Sequence, residues 1–242
     1  MTELTISPVR GLPELRAGDD LGSMIAERAE LESGDVLVVA QKAISKIEGR
    51  IVRLDDVEPS TRALELAGDA DPRRIEVVLG ESKRIVRSRG SLLIAETRHG
   101  FICASAGVDA SNTPEPGTVV LLPVDPDESA ARLRARLLEL TGHEVGVVVS
   151  DSFGRPWRQG TTDVAIGAAG VEVLRDLKGE RDPTDYELKS TVIAIADEIA
   201  GAAELVMGKL DRTPVAIVRG LDVTGEGVAR DLVMPAERNL FM

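Results

Sequence analysis

The stretch that most constrains the fold of this chain runs from Val147 to Gly170. It opens with a short apolar run, breaks at Ser150-Asp151-Ser152, turns at Gly154 and Pro156, and becomes apolar again at Val164. An apolar run of this length predicts a buried strand, and an acid and a hydroxyl just past its end lie where α/β sheets carry reacting groups. The alternative is an ordinary strand-turn-strand with a solvated loop at its tip.

A second charge-free run, Val36-Leu37-Val38-Val39-Ala40, predicts a strand that is covered on both faces. It is followed by Lys42, Lys46 and Arg50, and the end of a buried strand is a place where phosphates often bind. A solvated charged surface is the competing interpretation of such a charge run. Neither a Walker loop nor a Gly-x-Gly-x-x-Gly motif occurs in the chain, so a nucleotide would have to be held by another arrangement.

A third polar loop follows the strand predicted around Phe101 and contains Asp109 and Asn112. Such a loop is usually a turn, because Asp and Asn side chains hydrogen-bond their own backbone. Asp109 and Asp151 both follow apolar strands, however, and two carboxylates brought together at strand ends are a common metal cradle for nucleoside triphosphates.

The composition excludes several classes of partner. A length of 242 residues is enough for one large or two small domains, and 43% of the residues are apolar, as in a globular core. Only 2% are aromatic and the formal net charge is −12, so the chain has few rings for base stacking and no excess of cations for a phosphate backbone. We therefore expect no nucleic-acid partner. The local pair Arg155 and Arg158 still suits an anionic small molecule.

Reactive side chains of other types are scarce. Cys103 is the single cysteine, which excludes an intrachain disulfide and a thiolate metal cage. His99 and His143 are isolated in sequence, so a histidine-based hydrolase is poorly supported. The chain has neither a signal-peptide pattern nor an apolar stretch of about 18 residues, and we expect a cytoplasmic protein without a membrane span.

Local patterns predict alternating strands and helices. The predicted strands are 4–9, 36–40, 85–86, 92–95, 101–104, 118–123, 145–149, 171–174 and 214–218, of which 85–104 has the pattern of a β-meander. The predicted helices are 21–31, 59–68, one that begins at Asp71-Pro72, 128–140 and 184–207. The last has a wide apolar face, which suits a buried central helix or a dimer interface.

Six segments, in this order along nearly the whole chain, resemble the coenzyme F420-0:γ-glutamyl ligases (the CofE family), especially the N-terminal ligase domain of its two-domain actinobacterial members. These segments are 11–14, 35–39 together with 45–50, 107–112, 150–158, 163–167 and 204–209. The resemblance implies an α/β (α+β) fold with mixed sheets and two domains, in an intertwined homodimer. We expect a single ligase unit over 1–242 with subdomains 1–80 plus 210–242 and 81–209, and no nitroreductase domain.

The resemblance also implies a reaction. Family members use GTP and a divalent metal to add L-glutamate, first singly and then in γ-linkage, to the lactyl-phosphate arm of coenzyme F420-0 through an acyl phosphate. Expected cofactors are Mg²⁺ or Mn²⁺ at two sites, and K⁺. Coenzyme F420-0, L-glutamate and a second copy of the chain are the expected partners.

Site residues follow from the resemblance position by position. The implied metal ligands are Asp109, Asp151 and Ser152. The residues implied to line the nucleotide are Leu12, Pro13, Glu14, Leu15, Gln41, Lys46, Asn112, Met207, Gly208, Lys209, Leu210, Asp211, Arg212 and Thr213. The catalytic candidates are Asp151, Arg155 and Arg158, whose charges suit phosphoryl transfer. Some relatives carry a metal-binding Gln at position 209, and a protonated lysine cannot replace it as a ligand.

Two rival functions use the same residues. A metal-dependent phosphatase or nucleotidase would use the aspartates without an amino-acid site, and a scaffold protein would bind GTP without turning it over. Consumption of GTP that depends on glutamate distinguishes the ligase from both.

Overall fold

The computed structural model describes residues 3–240 and shows a mixed α/β chain. Its strands are β1 (Thr5–Pro8), β2 (Val36–Ala40), β3 (Ile51–Arg53), β4 (Ser82–Arg89), β5 (Leu92–Thr97), β6 (Ile102–Ala104), β7 (Thr118–Val120), β8 (Gly146–Arg155), β9 (Arg158–Ala169), β10 (Arg175–Asp176), β11 (Val192–Ile193) and β12 (Val215–Arg219). Its α-helices are α1 (Leu21–Ala26), α2 (Gln41–Ile47), α3 (Thr61–Ala67), α4 (Pro72–Glu81), α5 (Pro126–Thr141) and α6 (Ile195–Met207). The predicted α/β (α+β) class is confirmed. The outermost residues of the predicted segments 1–80 and 210–242 lie outside the described range.

The central sheet has five strands in the order β1-β12-β2-β8-β9. β2 and β8 run parallel, and every other neighbouring pair in this sheet is antiparallel. The parallel register pairs Val36 with Gly146 and Ala40 with Ser150. The apolar parts of these two strands therefore end side by side, at the edge where α/β sheets place ligands.

Helices cover both faces of this sheet. Along β2, Leu37 and Val39 pack with α1, α2 and α5 on one side, while Val36 and Val38 pack with α6 on the other. All four side chains are buried, because strand side chains alternate between two covered faces. The predicted doubly covered strand at 36–40 is confirmed.

A third hydrophobic cluster lies outside the central sheet. The meander β4-β5-β6 and helices α3 and α4 build it, with residues from Leu54 to Leu121. The predicted meander is confirmed. This cluster includes residues on both sides of the proposed subdomain boundary between 80 and 81.

The predicted helix 184–207 is wrong over its first half, because α6 begins at Ile195. The Asp182 carboxylate accepts hydrogen bonds from the backbone N–H groups of Thr184 and Tyr186, at 2.8 and 2.9 Å, and so fixes a turn. β11 then pairs with β10. The apolar face of α6 is buried against the central sheet, in agreement with the central-helix interpretation.

Strand β8 is longer than its apolar run predicted. The sequence places Asp151 and Ser152 past the end of the strand, whereas the structure continues β8 to Arg155 and pairs Ser152 with Asp163 of β9. A register shift lies between Val149 and Ser150. The two functional candidates therefore lie on a rigid hairpin instead of a loop.

Two smaller predictions differ from the structure. Helix α1 stops at Ala26, after which the Arg28 N–H bonds to the Ile25 carbonyl and the Arg28 guanidinium donates to the Met24 carbonyl at 2.7 Å. The strand predicted at 171–174 is reduced to one bridge between Val171 and Gly227. In the part of the chain that the structure describes, no helix is long and apolar enough to cross a membrane.

Candidate active site

A cavity of about 520 Å³ opens where β2 ends, beside Ser150 to Ser152 of β8. We call it the large cavity. Its walls come from the loop before α1, the start of α2, the 112–113 loop, β8, β9, the end of α6 and the loop that follows α6. The lining residues are Leu12 to Leu15, Ala40 to Ala43, Lys46, Asn112, Thr113, Ser150 to Ser152, Asp163, Glu204, Met207 to Leu210, and Arg212 to Pro214. Segments distant in sequence thus form one continuous lining.

Two lysines of α2 line the large cavity one helical turn apart. Lys46 is paired with Glu14 from the loop before α1. Lys42 lies 2.7 Å from Asp109 and donates to the carbonyl and the hydroxyl of Ser111, at 3.0 and 2.7 Å. Positions i and i+4 share a helix face, so both lysines line the same cavity. Phosphate oxygens in the cavity would compete with the carboxylates for both lysines.

Gln41 provides an unpaired donor at the same place. Its side chain is buried, and its amide oxygen accepts a hydrogen bond from Ser45 at 2.9 Å. Its Nε2 atom has no partner within the described residues. A buried donor without a partner costs free energy, and a ligand oxygen in the large cavity would satisfy it.

A second cavity of about 250 Å³ lies against the first. We call it the small cavity. Its lining consists of Arg74, Cys103 to Ser105, Gly107 to Asp109, Asp151 to Gly154, and Lys209. Asp151, Ser152 and Lys209 line both cavities and form the shared wall. Burial raises the pKa of the Cys103 thiol to about 12, and the nearby charge of Asp151 contributes to the increase. At neutral pH the thiol is therefore protonated and is not a nucleophile.

The carboxylate of Asp151 is the most perturbed acid of the site. Burial raises its pKa to about 7; the neighbouring charges of Asp163 and Asp109 act in the same direction, whereas the Ser152 N–H and Lys42 oppose them. Strongly shifted acids in a cleft mark functional sites. At neutral pH a cation beside Asp151 would stabilise its ionised form.

Asp163 of β9 holds two hydroxyls of the facing strand. It is buried and accepts hydrogen bonds from Ser150 Oγ at 2.8 Å and Ser152 Oγ at 2.7 Å. Because each hydroxyl donates its proton to Asp163, its lone pairs are left for a second partner. This arrangement orients the Ser152 oxygen as an acceptor or a ligand.

Asp109 is charged in the structure described. Burial alone would raise its pKa, but hydrogen bonds from Lys42 and from the N–H and hydroxyl of Ser111 hold the pKa below its usual range. Lys42 thus occupies the position of a counter-ion to this carboxylate. Gly107 starts the loop with φ +75, and an added Cβ would lie 2.6 Å from Leu122, so only glycine fits this turn.

Comparison with known proteins supports the family resemblance of the sequence. The model of a family described as "F420-0:Gamma-glutamyl ligase" matches residues 11–220. The chain belongs to this family. It is accordingly an enzyme, a ligase, and the resemblance inferred from its six segments is confirmed.

Curated relatives match over almost their full length. "Coenzyme F420:L-glutamate ligase" of Methanopyrus kandleri is 49% identical, with 98% of this chain and 97% of the relative aligned. The protein of the same name from Methanocaldococcus jannaschii is 44% identical, with 95% and 94% aligned. A third, from Methanothermobacter thermautotrophicus, is 41% identical, with 98% of both chains aligned.

In this member of the γ-glutamyl ligase family, most of the expected site residues converge. Of the residues expected at the nucleotide, all except Asp211 line the large cavity. The Asp211 carboxylate instead lies close to Gly208, where a Cβ would be 2.3 Å from it. The expected metal ligands Asp109, Asp151 and Ser152 all line the small cavity.

Arg155 and Arg158 are placed apart from the other candidates. They flank the tip of the β8–β9 hairpin, are exposed, and line neither cavity of their own chain. The Arg155 guanidinium donates to the Gln159 carbonyl at 2.9 Å. Their catalytic role stays a prediction.

Sequence reasoning missed Asp163 and Arg74 as site residues. Lys42 was predicted, with Lys46 and Arg50, as part of a basic segment suited to phosphate, and it lines the large cavity. Asp163 had no local signal, since its pairing with Ser152 depends on the register of the hairpin. Arg74 lies on a helix of another hydrophobic cluster, and only the packing of that cluster brings it to the small cavity.

Proposed function

We propose that this chain is a GTP- and divalent-metal-dependent ligase that joins L-glutamate to the lactyl-phosphate arm of coenzyme F420-0, first singly and then in γ-linkage. The observation that carries the proposal is the convergence of the α2 lysines, the Gln41 amide and Asp151 on one cavity. The relatives' printed names support glutamate and the coenzyme as substrates.

Amide formation from a carboxylate needs an activated acyl group. We infer that the γ-phosphoryl group of GTP passes to the carboxylate of the acceptor and gives an acyl phosphate, after which glutamate displaces phosphate. Phosphoryl transfer is mainly a matter of positioning and of charge neutralisation. Lys42 and Lys46 supply two positive charges for the phosphates, and the Gln41 Nε2–H supplies a neutral donor.

The donors at the shared wall suit Mg²⁺ or Mn²⁺. Carboxylate and hydroxyl oxygens are hard ligands, and Asp109, Asp151 and Ser152 provide them. Among residues 3–240 no group of three or more His, Cys, Asp or Glu side chains could hold a metal ion alone. Mg²⁺ is commonly held by one or two carboxylates together with substrate phosphates, so a nucleotide would complete this set. A bound ion would supply neutralisation of the phosphate charge.

Two metal sites and K⁺ belong to the proposal as well. Lys209 stands where some relatives have a metal-binding Gln, and its ammonium group would add a fixed positive charge there. A lysine ammonium group and a metal ion both bring positive charge to the phosphate. The lysine, however, forms no coordination bond.

Phosphate release with components omitted one at a time tests the proposed function. With Mn²⁺, GTP, coenzyme F420-0 and L-glutamate all present, we expect release that stops when glutamate or the coenzyme is left out. A nucleotidase would release phosphate at the same rate from GTP and metal alone. That result would contradict the ligase proposal and favour the rival.

A further inference from the structure

The small cavity contains two cationic side chains without a protein partner. Arg74 is half-buried on α4 and Lys209 is exposed at the shared wall, and neither side chain forms a hydrogen bond or an ion pair with the described residues. The adjacent Arg73 differs, since Asp71 and Asp55 hold it at 2.7 Å each. An arginine that lines a cavity and has no ion pair with the described residues is available to an anion from solution.

The size of the small cavity limits what that anion is. Cavities for drug-sized ligands occupy about 300–1,000 Å³, and the small cavity has about 250 Å³. It suits a compact anion such as an amino acid. A tricyclic coenzyme with a sugar-phosphate arm is too large for it.

The position of the small cavity relates it to the reaction. It shares Asp151 and Ser152 with the large cavity, so a molecule in it lies next to the phosphate end of a nucleotide held by Lys42 and Lys46. Its walls carry positive charge at Arg74 and Lys209, while its carboxylates Asp109 and Asp151 belong to the metal in the proposed function. The two cations complement the carboxylates of an amino acid.

We propose that the small cavity is the L-glutamate site and that Arg74 binds one of the two glutamate carboxylates. This inference rests on the proposed function. A guanidinium meets a carboxylate through two parallel N–H···O bonds, which fixes orientation as well as charge. Held at that end, the amino group of glutamate faces the shared wall and the acyl phosphate.

The bond changes in this arrangement balance. The nitrogen of glutamate forms the C–N bond, and the C–O bond to phosphate breaks, with its electron pair leaving on the phosphate. Two protons leave the ammonium group, one on the released hydrogen phosphate and one to solvent. Arg74 keeps its proton throughout, so its role is binding and orientation.

Steady-state kinetics of three variants test the site. Arg74→Met removes the charge and keeps much of the volume, Arg74→Lys keeps the charge without the bidentate fork, and Arg62→Met is the control. Arg62 lies on α3 in an exposed pair with Glu65 and lines neither cavity. KM for glutamate, GTP and coenzyme F420-0 would be measured separately at saturating Mn²⁺, with the melting temperature of each variant.

We expect Arg74→Met to raise KM for glutamate at least about tenfold, the equivalent of one charge-assisted contact. Arg74→Lys should fall between it and the wild type. KM for GTP and for the coenzyme should change by less than about twofold, and Arg62→Met should match the wild type. An unchanged KM for glutamate, or a rise in KM for the coenzyme instead, overturns the site while the ligase function stands.

If no turnover is seen, calorimetric titration of L-glutamate into protein with GDP and Mn²⁺ distinguishes failure of the glutamate site from failure of the proposed ligase function. Binding by the wild type that Arg74→Met loses supports the glutamate site even where the proposed ligation fails. A wild type that binds no glutamate under these conditions and shows no turnover overturns both.

Discussion

Among single residues, Asp151 is the one on which the proposed ligase function depends most. Asp151→Asn keeps the shape and removes the charge, so cation binding and phosphate neutralisation should be lost while the fold survives. We expect ligase activity to fall at least about 100-fold, equivalent to about 2.7 kcal/mol of transition-state stabilisation, with partial recovery at high Mn²⁺. Near-normal turnover at low Mn²⁺ would remove Asp151 from the catalytic site.

The same variant has an opposite effect on the stability of the metal-free protein. The folded-state pKa of Asp151 is about 7, above the ordinary value of 3.8. A raised carboxyl pKa contributes stability below the ordinary value, and this contribution is lost as the pH rises through the folded-state pKa. Asp151→Asn cannot ionise, so its melting temperature in EDTA should exceed that of the wild type at about pH 8 and approach it at about pH 5. A lower melting temperature at both values would indicate that Asp151 only supports the hairpin.

The sequence predicted site residues that directly follow an apolar run. It did not predict site residues whose hydrogen-bond or packing partners are distant in sequence. Asp109 and Asp151 were identified because each follows an apolar run, and they line one cavity. Asp163 was not identified, because nothing local marks it as the acceptor for Ser150 and Ser152. Arg74 required the packing of a second cluster against the shared wall.

At the scale of elements, the hairpin β8–β9 positions the shared wall, and its root packs on α5. A Cβ at Gly167 would lie 2.3 Å from the Pro126 carbonyl oxygen, so β9 and the start of α5 would have to separate. We expect Gly167→Ala to lower the free energy of unfolding by about 1–3 kcal/mol. Gly154 on the same hairpin has nothing within 4 Å of its added Cβ.

Gly154→Ala is therefore the matched control for stability, and it should change the free energy of unfolding by less than about 0.5 kcal/mol. Denaturant unfolding of both variants and the wild type decides between the two positions. Equal effects of the two substitutions on the free energy of unfolding would show that the close approach of β9 to α5 is not the reason for glycine at position 167.

Element prediction succeeded where one local signal determined the structure. The strand at 36–40 and the helix capped by Asp125 were recognisable from a charge-free run and from a capping residue ahead of proline. The helix predicted from residue 184 was wrong because apolar periodicity does not reveal the turn that Asp182 makes with its own backbone. The extension of β8 beyond Val149 was missed because its polar residues are satisfied by the facing strand.

At the scale of the whole molecule, we propose that two chains associate. The resemblance implies an intertwined homodimer, and large apolar side chains are exposed near the large cavity, with Leu205 at 82% and Leu210 at 89%. Contact with a second chain would remove these side chains from water. Light scattering at micromolar concentration should give the mass of two chains, and the mass of one chain would contradict the proposal.

We propose that the two adjoining cavities bring GTP, glutamate and the coenzyme together for ligation. Mass spectrometry of coenzyme F420-0 after incubation with the protein, GTP, L-glutamate and Mn²⁺ tests this most directly. We expect a product heavier by one glutamyl residue, followed by products with further glutamyl residues, and none of them when GTP or Mn²⁺ is omitted. An unmodified coenzyme after complete consumption of GTP would contradict it.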